Sequence, residues 1–353
     1  SEIKPLLKNK NLQTTINFDS IDFYLSNRYV PSKYNLINEV STLEQGSILE
    51  ISKNSFKKIK FWDLDSYNEL EKKDHGKFYD IFENSVNLRM KADVKVGVFL
   101  SGGLDSSIIT ALMSKKSKDF EIFTHSYNHE KDESIFAKRL CEKLQLKNFN
   151  LVEIKEKNIH NLERIVESME SPIGNSDIIG LDLLCAAAKV KKTKVIISGE
   201  GSDEIFGGYI HHGLLGKINN LKKFLKIFRS NKLFSKIIRL TPNRFYDIFF
   251  NYGKFKVTND LKYNLENFFK GKSEIKSYFN LISLFNDIDK KKLYNNHFKL
   301  ELKKNDIDLV FNNNLKSYLD KVLRFELENW LPSYHLMKED KISMSHSIEM
   351  RFP

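Results

Sequence analysis

Between Val94 and Ser198, short apolar runs alternate with stretches of helical spacing, and this alternation limits the fold more than any other feature of the chain. "VKVGVFL" reads as a buried strand, "FEIFTHS" as a second, "FNLVEI" as a third and "TKVIIS" as a fourth. Between them, Asp105 to Ser114 puts Ile108, Ile109 and Leu112 on one helical face, "ESIFAKRLCEKL" aligns Phe136, Leu140 and Leu144, and "GLDLLCAAAKV" continues the series. Strands and helices in turn imply an α/β fold, a parallel sheet with helices on both faces. Beyond His211, Leu, Phe and Ile recur at three-to-four spacing as far as "LRFELENWL", so the carboxy-terminal half is expected to be helical. Residues 1 to about 70 read instead as short strands and turns, "GSILEIS" and "KKIKFWDL" flanking a polar turn.

Composition excludes several classes. The 353 residues are 41% hydrophobic and 29% charged, as in a soluble globular protein, and no apolar run approaches the ~20 residues that span a bilayer. No secretory signal opens the sequence. Cys141 and Cys185 lie inside apolar helical patterns and read as buried thiols, which points to a reducing, cytoplasmic setting. The net charge of +11 is concentrated in segments such as "KINNLKKFLKIFRSNKLFSKIIRL", where apolar residues at helical spacing leave the lysines on a wet face. Neither a nucleic acid nor a membrane is therefore expected as a partner. The chain opens on Ser1 and stops at "EMRFP", and is read as a fragment of a longer protein.

The loop "SGGLDSS" follows the first apolar strand and opens a helix. In such sheets, ligands sit at the carboxyl ends of strands. Gly102 and Gly103 let backbone approach an anion, and the opening N–H groups of the helix point at it. Ser101, Ser106 and Ser107 add hydroxyls. Asp105 would repel a phosphate unless a cation lay between them, and Mg²⁺ is the natural bridge. A Walker loop is excluded, because "GKS" at 271–273 would need glycine where Glu266 stands. So is the dinucleotide GxGxxG. The septet resembles the PP-loop of enzymes that split ATP between its α and β phosphorus, which leaves the acceptor of the adenylyl group open.

Two later motifs narrow the acceptor. "VIISGEGSDEIFGGY" repeats strand, Ser198, Gly199 and then a run of acids, Glu200, Asp203 and Glu204. "WLPSYHLMKEDKISMSHSIEMRFP" sets Lys338, Asp340, Lys341, Glu349 and Arg351 among apolar residues, where charges are normally paired. Taken together and in this order, the three motifs resemble the synthetase domain of the glutamine-dependent asparagine synthetase family. "KDESIFAKRLCEKL" and "ESPIGNSDIIGLDLL" match it more weakly, and the match is weakest between about His212 and Lys316. "YLSNRYVPSKYNLINEVSTLEQGSILEI" and "FWDL" resemble the last part of that family's amino-terminal glutaminase domain.

The resemblance implies a PP-loop adenine nucleotide alpha hydrolase-like domain at 71–353, preceded at 1–70 by the β-rich remnant of an N-terminal-nucleophile glutaminase domain. It implies an aspartate side-chain carboxylate adenylated by ATP and then amidated by ammonia, giving asparagine, AMP and pyrophosphate. Ser101, Gly102, Gly103, Ser106 and Ser107 would hold the pyrophosphate, and Asp105 and Asp203 would ligate Mg²⁺. Lys341, matched to the family's catalytic lysine, would lie on the α-phosphoryl oxygens. Glu200 would take a proton from the attacking nitrogen or fix the acyl-adenylate. Phe99, His125, Ser198 and Gly199 would line the adenosine, although His125 stands where a small aliphatic residue is expected. The nucleophilic cysteine of the glutaminase is not in this sequence, so glutamine hydrolysis is not expected of it, and a homodimer is compatible with the family. Relatives on this fold close β-lactam rings, cyclise peptides or amidate sugar acids, so another carboxylate stays open as the substrate. An inactive remnant and an RNA-modifying PP-loop enzyme also stay open.

Overall fold

A computed structural model describes residues 2–64, 75–127, 132–172, 174–227, 236–238, 240–242, 259–302, 309, 311 and 314–353. Most of the second half of the basic segment read at 217–240 lies outside these residues. The chain divides into two compact units. One joins Ser1–Gln13, Val40–Ser202 and Tyr334–Pro353; the other joins Thr14–Glu39 and Asp203–Ser333. Residues 14–39 thus belong to the second unit, whereas 1–13 and 40–64 belong to the first.

The first unit is built on a parallel sheet. Strands β1 (Ser47–Ile51) and β2 (Phe56–Lys60) form a separate antiparallel hairpin. The main sheet holds β3 (Val96–Phe99), β4 (Glu121–Ser126), β5 (Phe149–Glu153), β6 (Val195–Ile197) and β7 (Glu349–Arg351), in the order β5-β4-β3-β6-β7. All pairs are parallel. The four strands read from sequence are present, and β7 was not foreseen.

Side chains alternate across a strand, so each strand feeds two cores. Val98, Leu100, Ile122 and Ile197 join one face, with Ile109, Leu112 and Met113 from the helix Leu104–Lys116. Phe99, Phe123 and Ile196 join the other, with Leu181, Leu184 and Cys185 from the helix Asp177–Val190 and Ile342 from the helix Met337–Ser345. Burial of each such side chain is worth about 1.5–3 kcal/mol. Two helix faces differ from the sequence reading. Ile108 is exposed, and Met113 is buried with Ile109 and Leu112. Phe136 is exposed too, and Ala137 and Cys141 meet the sheet, their small side chains letting the helix Ser134–Lys143 approach. Both cysteines are free and buried, as expected.

The second unit is helical among its described residues. Its core gathers Leu215, Phe268, Phe269, Tyr278, Phe311, Tyr318, Val322 and Phe325. At its centre Glu326 is buried and accepts from three side chains: His211 Nε2 at 3.0 Å, His212 Nε2 at 2.7 Å and the Tyr278 hydroxyl at 2.6 Å. Burial alone would raise this carboxyl, but the two histidines outweigh it and hold it at about 2. No helix among the described residues is long and apolar enough to cross a membrane.

Candidate active site

In the sheet order, β3 sits between β4 and β6, so the chain leaves β3 in one direction and returns on its other side. Such a reversal opens a crevice at the carboxyl ends of the two central strands. "SGGLDSS" leaves β3 there and "SGEGSDE" leaves β6. The structure brings these loops against each other: a β-carbon on Gly199 would lie 3.3 Å from the Ser106 amide nitrogen and 3.4 Å from Asp105 Cβ.

The first loop is braced from within. Ser106, buried, accepts from the Ser101 amide at 3.2 Å, and its hydroxyl lies 3.0 Å from that of Ser101. Ser101 Oγ in turn accepts from the Gly103 amide at 3.2 Å. Ser106 is thereby a support of the loop, whereas Ser107 and Asp105 are only partly buried. Gly102 has φ +91°, and a β-carbon there would overlap the carbonyl of Glu133. The helix Leu104–Lys116 starts at Gly103 with no side chain capping it, so its opening N–H groups have no carbonyl partner within the helix.

Asp132, which sequence reading passed over, fixes the neighbouring loop. Its carboxylate accepts from Ser126 Oγ at 2.8 Å, the Tyr127 amide at 2.6 Å and the Ser134 amide at 2.8 Å. Burial opposes its ionisation, but these donors win and hold it well below the usual carboxylate range. The signal was an aspartate two residues before a helical run. His125, on β4, is partly buried against the helix that carries Gly180, and burial lowers its pKa against the pull of Asp177, Asp132 and Glu133. Its ring meets that of Tyr127 edge-on at 5.5 Å.

In the second loop, Glu200 Oε2 lies 2.8 Å from His335 Nδ1. Burial would raise Glu200, but His335 and then Lys338 reverse the sign and keep it lowered. Ser202 Oγ donates to the Gly199 carbonyl at 3.0 Å. Asp203 falls in the second unit, where its carbonyl accepts from the amides of Gly207 at 2.9 Å and Gly208 at 3.1 Å. Asp105 and Asp203 both offer carboxylate oxygens, the hard donors that Mg²⁺ takes.

Three expected contacts are placed otherwise. Phe99 is buried in the core, edge-on to Phe123 at 6.3 Å, because alternation along β3 turns it into the sheet. The Ser198 amide donates to the Arg351 carbonyl at 3.0 Å, extending the β6–β7 ladder, so that N–H is not offered to a ligand. Lys341 Nζ is 2.7 Å from Glu170 Oε2, with side chains 17% and 4% exposed respectively. Glu170 also accepts from the amides of Ile3 at 3.0 Å and Lys4 at 2.9 Å. The structure thus gives Lys341 a buried carboxylate as partner, in the ion pair that sequence reading reserved for its neighbours. Arg351 and Glu349 do pair, at 2.8 Å.

Residues 77–353 match the family model described as asparagine synthase. The chain is 26% identical, over 368 aligned residues, to asparagine synthetase (glutamine-hydrolyzing) 1 of Bacillus subtilis, covering 100% of this chain and 54% of that protein. It is 30% identical over 245 residues to the putative asparagine synthetase (glutamine-hydrolyzing) 2 of Methanocaldococcus jannaschii, covering 65% of this chain and 47% of that one. Amidase chyE of Penicillium rubens is 33% identical over 142 residues, 35% of this chain and 21% of that one. The chain spans about half the length of the first two relatives.

Proposed function

The chain belongs to the asparagine synthase family, and from that premise we propose that it adenylates the side-chain carboxylate of aspartate with ATP and transfers the acyl group to ammonia. The observation that carries this reading is the contact of Gly199 with Asp105 and Ser106, which stacks two glycine loops at the mouth of one crevice.

The opening amides of the helix Leu104–Lys116 face the departing pyrophosphate, with Gly102 keeping the backbone close and Ser101 and Ser107 as hydroxyl donors. Ser106 holds the loop in that shape. Asp105 would offer carboxylate oxygens to Mg²⁺, whose charge would offset that of the triphosphate. Pre-aimed donors of this kind are worth about 3–4 kcal/mol each when charge develops on the leaving group. Glu200, ionised and steadied by His335, stands by for the proton released as nitrogen attacks. His125, whose burial disfavours its charged form, and the Gly199 backbone are assigned to the adenosine side. Lys341 is assigned to the fold through Glu170.

Pyrophosphate release from ATP tests the reading, with ammonia and a panel of aspartate, sugar acids and amino-acid-derived carboxylates. Release that depends on aspartate and ammonia, with asparagine formed, supports it. Release with a different acid transfers the chemistry to that substrate. ATP binding without release under any condition overturns it in favour of an inactive remnant.

A further inference from the structure

Glu339 takes no part in the chemistry just described. It is 4% exposed in the helix Met337–Ser345, and its Oε2 is a buried carboxylate oxygen that finds no hydrogen-bond donor among the described residues. Leaving such an oxygen unmatched is costly, so an expected partner is a proton or an arriving cation. Glu339 lies one turn beyond His335, the residue that touches Glu200. Lys338, also buried, sits between them in sequence with its Nζ 6.0 Å from the centre of the Tyr334 ring.

The two carboxylates are pushed in opposite directions. Burial and then the Glu200 charge drive Glu339 up to about 8, while Lys338 partly opposes them. Glu200 is held low by His335 and Lys338. A pair split in this way titrates as a unit and carries one proton near neutrality. Among the described residues, the other groups around Glu339 do not supply a counter-charge. Cys185, on the helix Asp177–Val190, is a buried thiol that feels Glu339 as a like charge. Asp182 on the same helix is taken up by Arg164 at 2.6 Å and His346 at 2.7 Å, and Glu170 by Lys341.

We propose that Glu339 is a positioning residue for amide formation: it shares one proton with Glu200, and the doubly ionised pair is the form that accepts a proton from the incoming nitrogen. This rests on the assignment of Glu200 to that step. Alone, Glu200 is a poor base, since His335 and Lys338 favour its anion; a second negative charge beside it restores its affinity for a proton. The nitrogen lone pair forms the C–N bond, and the C–O bond to the AMP phosphate breaks, AMP leaving with that electron pair. One N–H proton passes to Glu200, is kept by the pair, and is then lost to solvent.

Two measurements on the full chain test this. In the first, glutamate carboxyls labelled with carbon-13 are titrated by NMR. One should titrate far above the ordinary carboxylate range, vanish in Glu339→Gln, and move down, though burial keeps it raised, in Glu200→Gln. A wild type whose glutamates all titrate in the ordinary range overturns the pairing, whether or not any turnover is seen. In the second, amide formation is followed against pH at fixed free ammonia, beside ATP–pyrophosphate exchange. Glutamine is the neutral shape of a protonated glutamate, so a purely structural Glu339 would tolerate it. Glu339→Gln should instead lose the rise with pH and slow amide formation by roughly tenfold or more relative to exchange, and Glu339→Asp should recover part of it. An unchanged pH profile in Glu339→Gln overturns the role. A wild type that forms no amide from any acid defeats the ligase reading, and the NMR titration then decides the pair by itself.

Discussion

Gly199 stands so close to Ser106 that a side chain on it would press on the first turn of the helix Leu104–Lys116, its β-carbon 3.3 Å from the Ser106 nitrogen. The contact ties the loop after β6 to the loop after β3. Gly199→Val should separate them. Overpacking of this kind costs about 1–3 kcal/mol, whereas a displacement of ~1 Å at the reacting atoms costs about a hundredfold in rate. Pyrophosphate release should therefore fall by about two orders of magnitude while the melting temperature moves by only a few degrees. A variant that unfolds outright, or one that keeps full release, would refute the idea that this contact sets the spacing.

The Glu326 knot predicts an acid dependence of stability. Its carboxyl is held at about 2 by His211 and His212, below its ordinary 4.5, so it stabilises the fold fully above that ordinary value. The contribution, roughly 3 kcal/mol, is lost as pH falls toward about 2. Urea denaturation of wild type and Glu326→Gln should differ most near neutrality and converge in acid. A gap that stays constant across that range would dismiss the linkage.

Lys341 and Glu170 should behave as one unit. Removing either partner leaves a partly buried charge without its opposite, which costs about 1–3 kcal/mol. Lys341→Met and Glu170→Gln should each lower the melting temperature, and the double variant should lose less than the sum. If instead Lys341→Met abolishes pyrophosphate release with its melting temperature intact, the lysine acts on the phosphates and the structural assignment fails.

The thiols offer a probe of opening. Burial pushes Cys141 up to about 11 and raises Cys185 further. Both lie in the two cores that flank the sheet. A thiol reagent should modify them only at the rate at which the sheet unit opens, and ATP with Mg²⁺ should slow modification if the loops close on nucleotide. Rapid labelling of the native chain would contradict the burial.

Much of this was legible before any coordinates. The strands β3 to β6 followed from apolar runs, and both loops from glycine placed at strand ends. What escaped depended on packing. Phe99 looked available to a ligand because it ends a strand beside the loop, but period-two alternation turns it inward. Ile108 and Ile109 fit the same spacing, and only the sheet's position decides between them. In "KEDK" four charges stand together, and nothing in their order tells which becomes the buried, unpaired carboxylate. Strand β7 was hidden in the same motif, its three residues too few for a pattern.

That last strand has a consequence for how the crevice is assembled. Its carbonyl at Arg351 holds the Ser198 amide, just ahead of Gly199, so a strand much later in the sequence pins a loop made long before it. A nascent chain emerging from the ribosome could form β3, β4 and β5 early, but the rim of the crevice would stay unlatched until residue 351 had cleared the exit tunnel. The crevice should thus be completed only once that strand docks, as a single closing event.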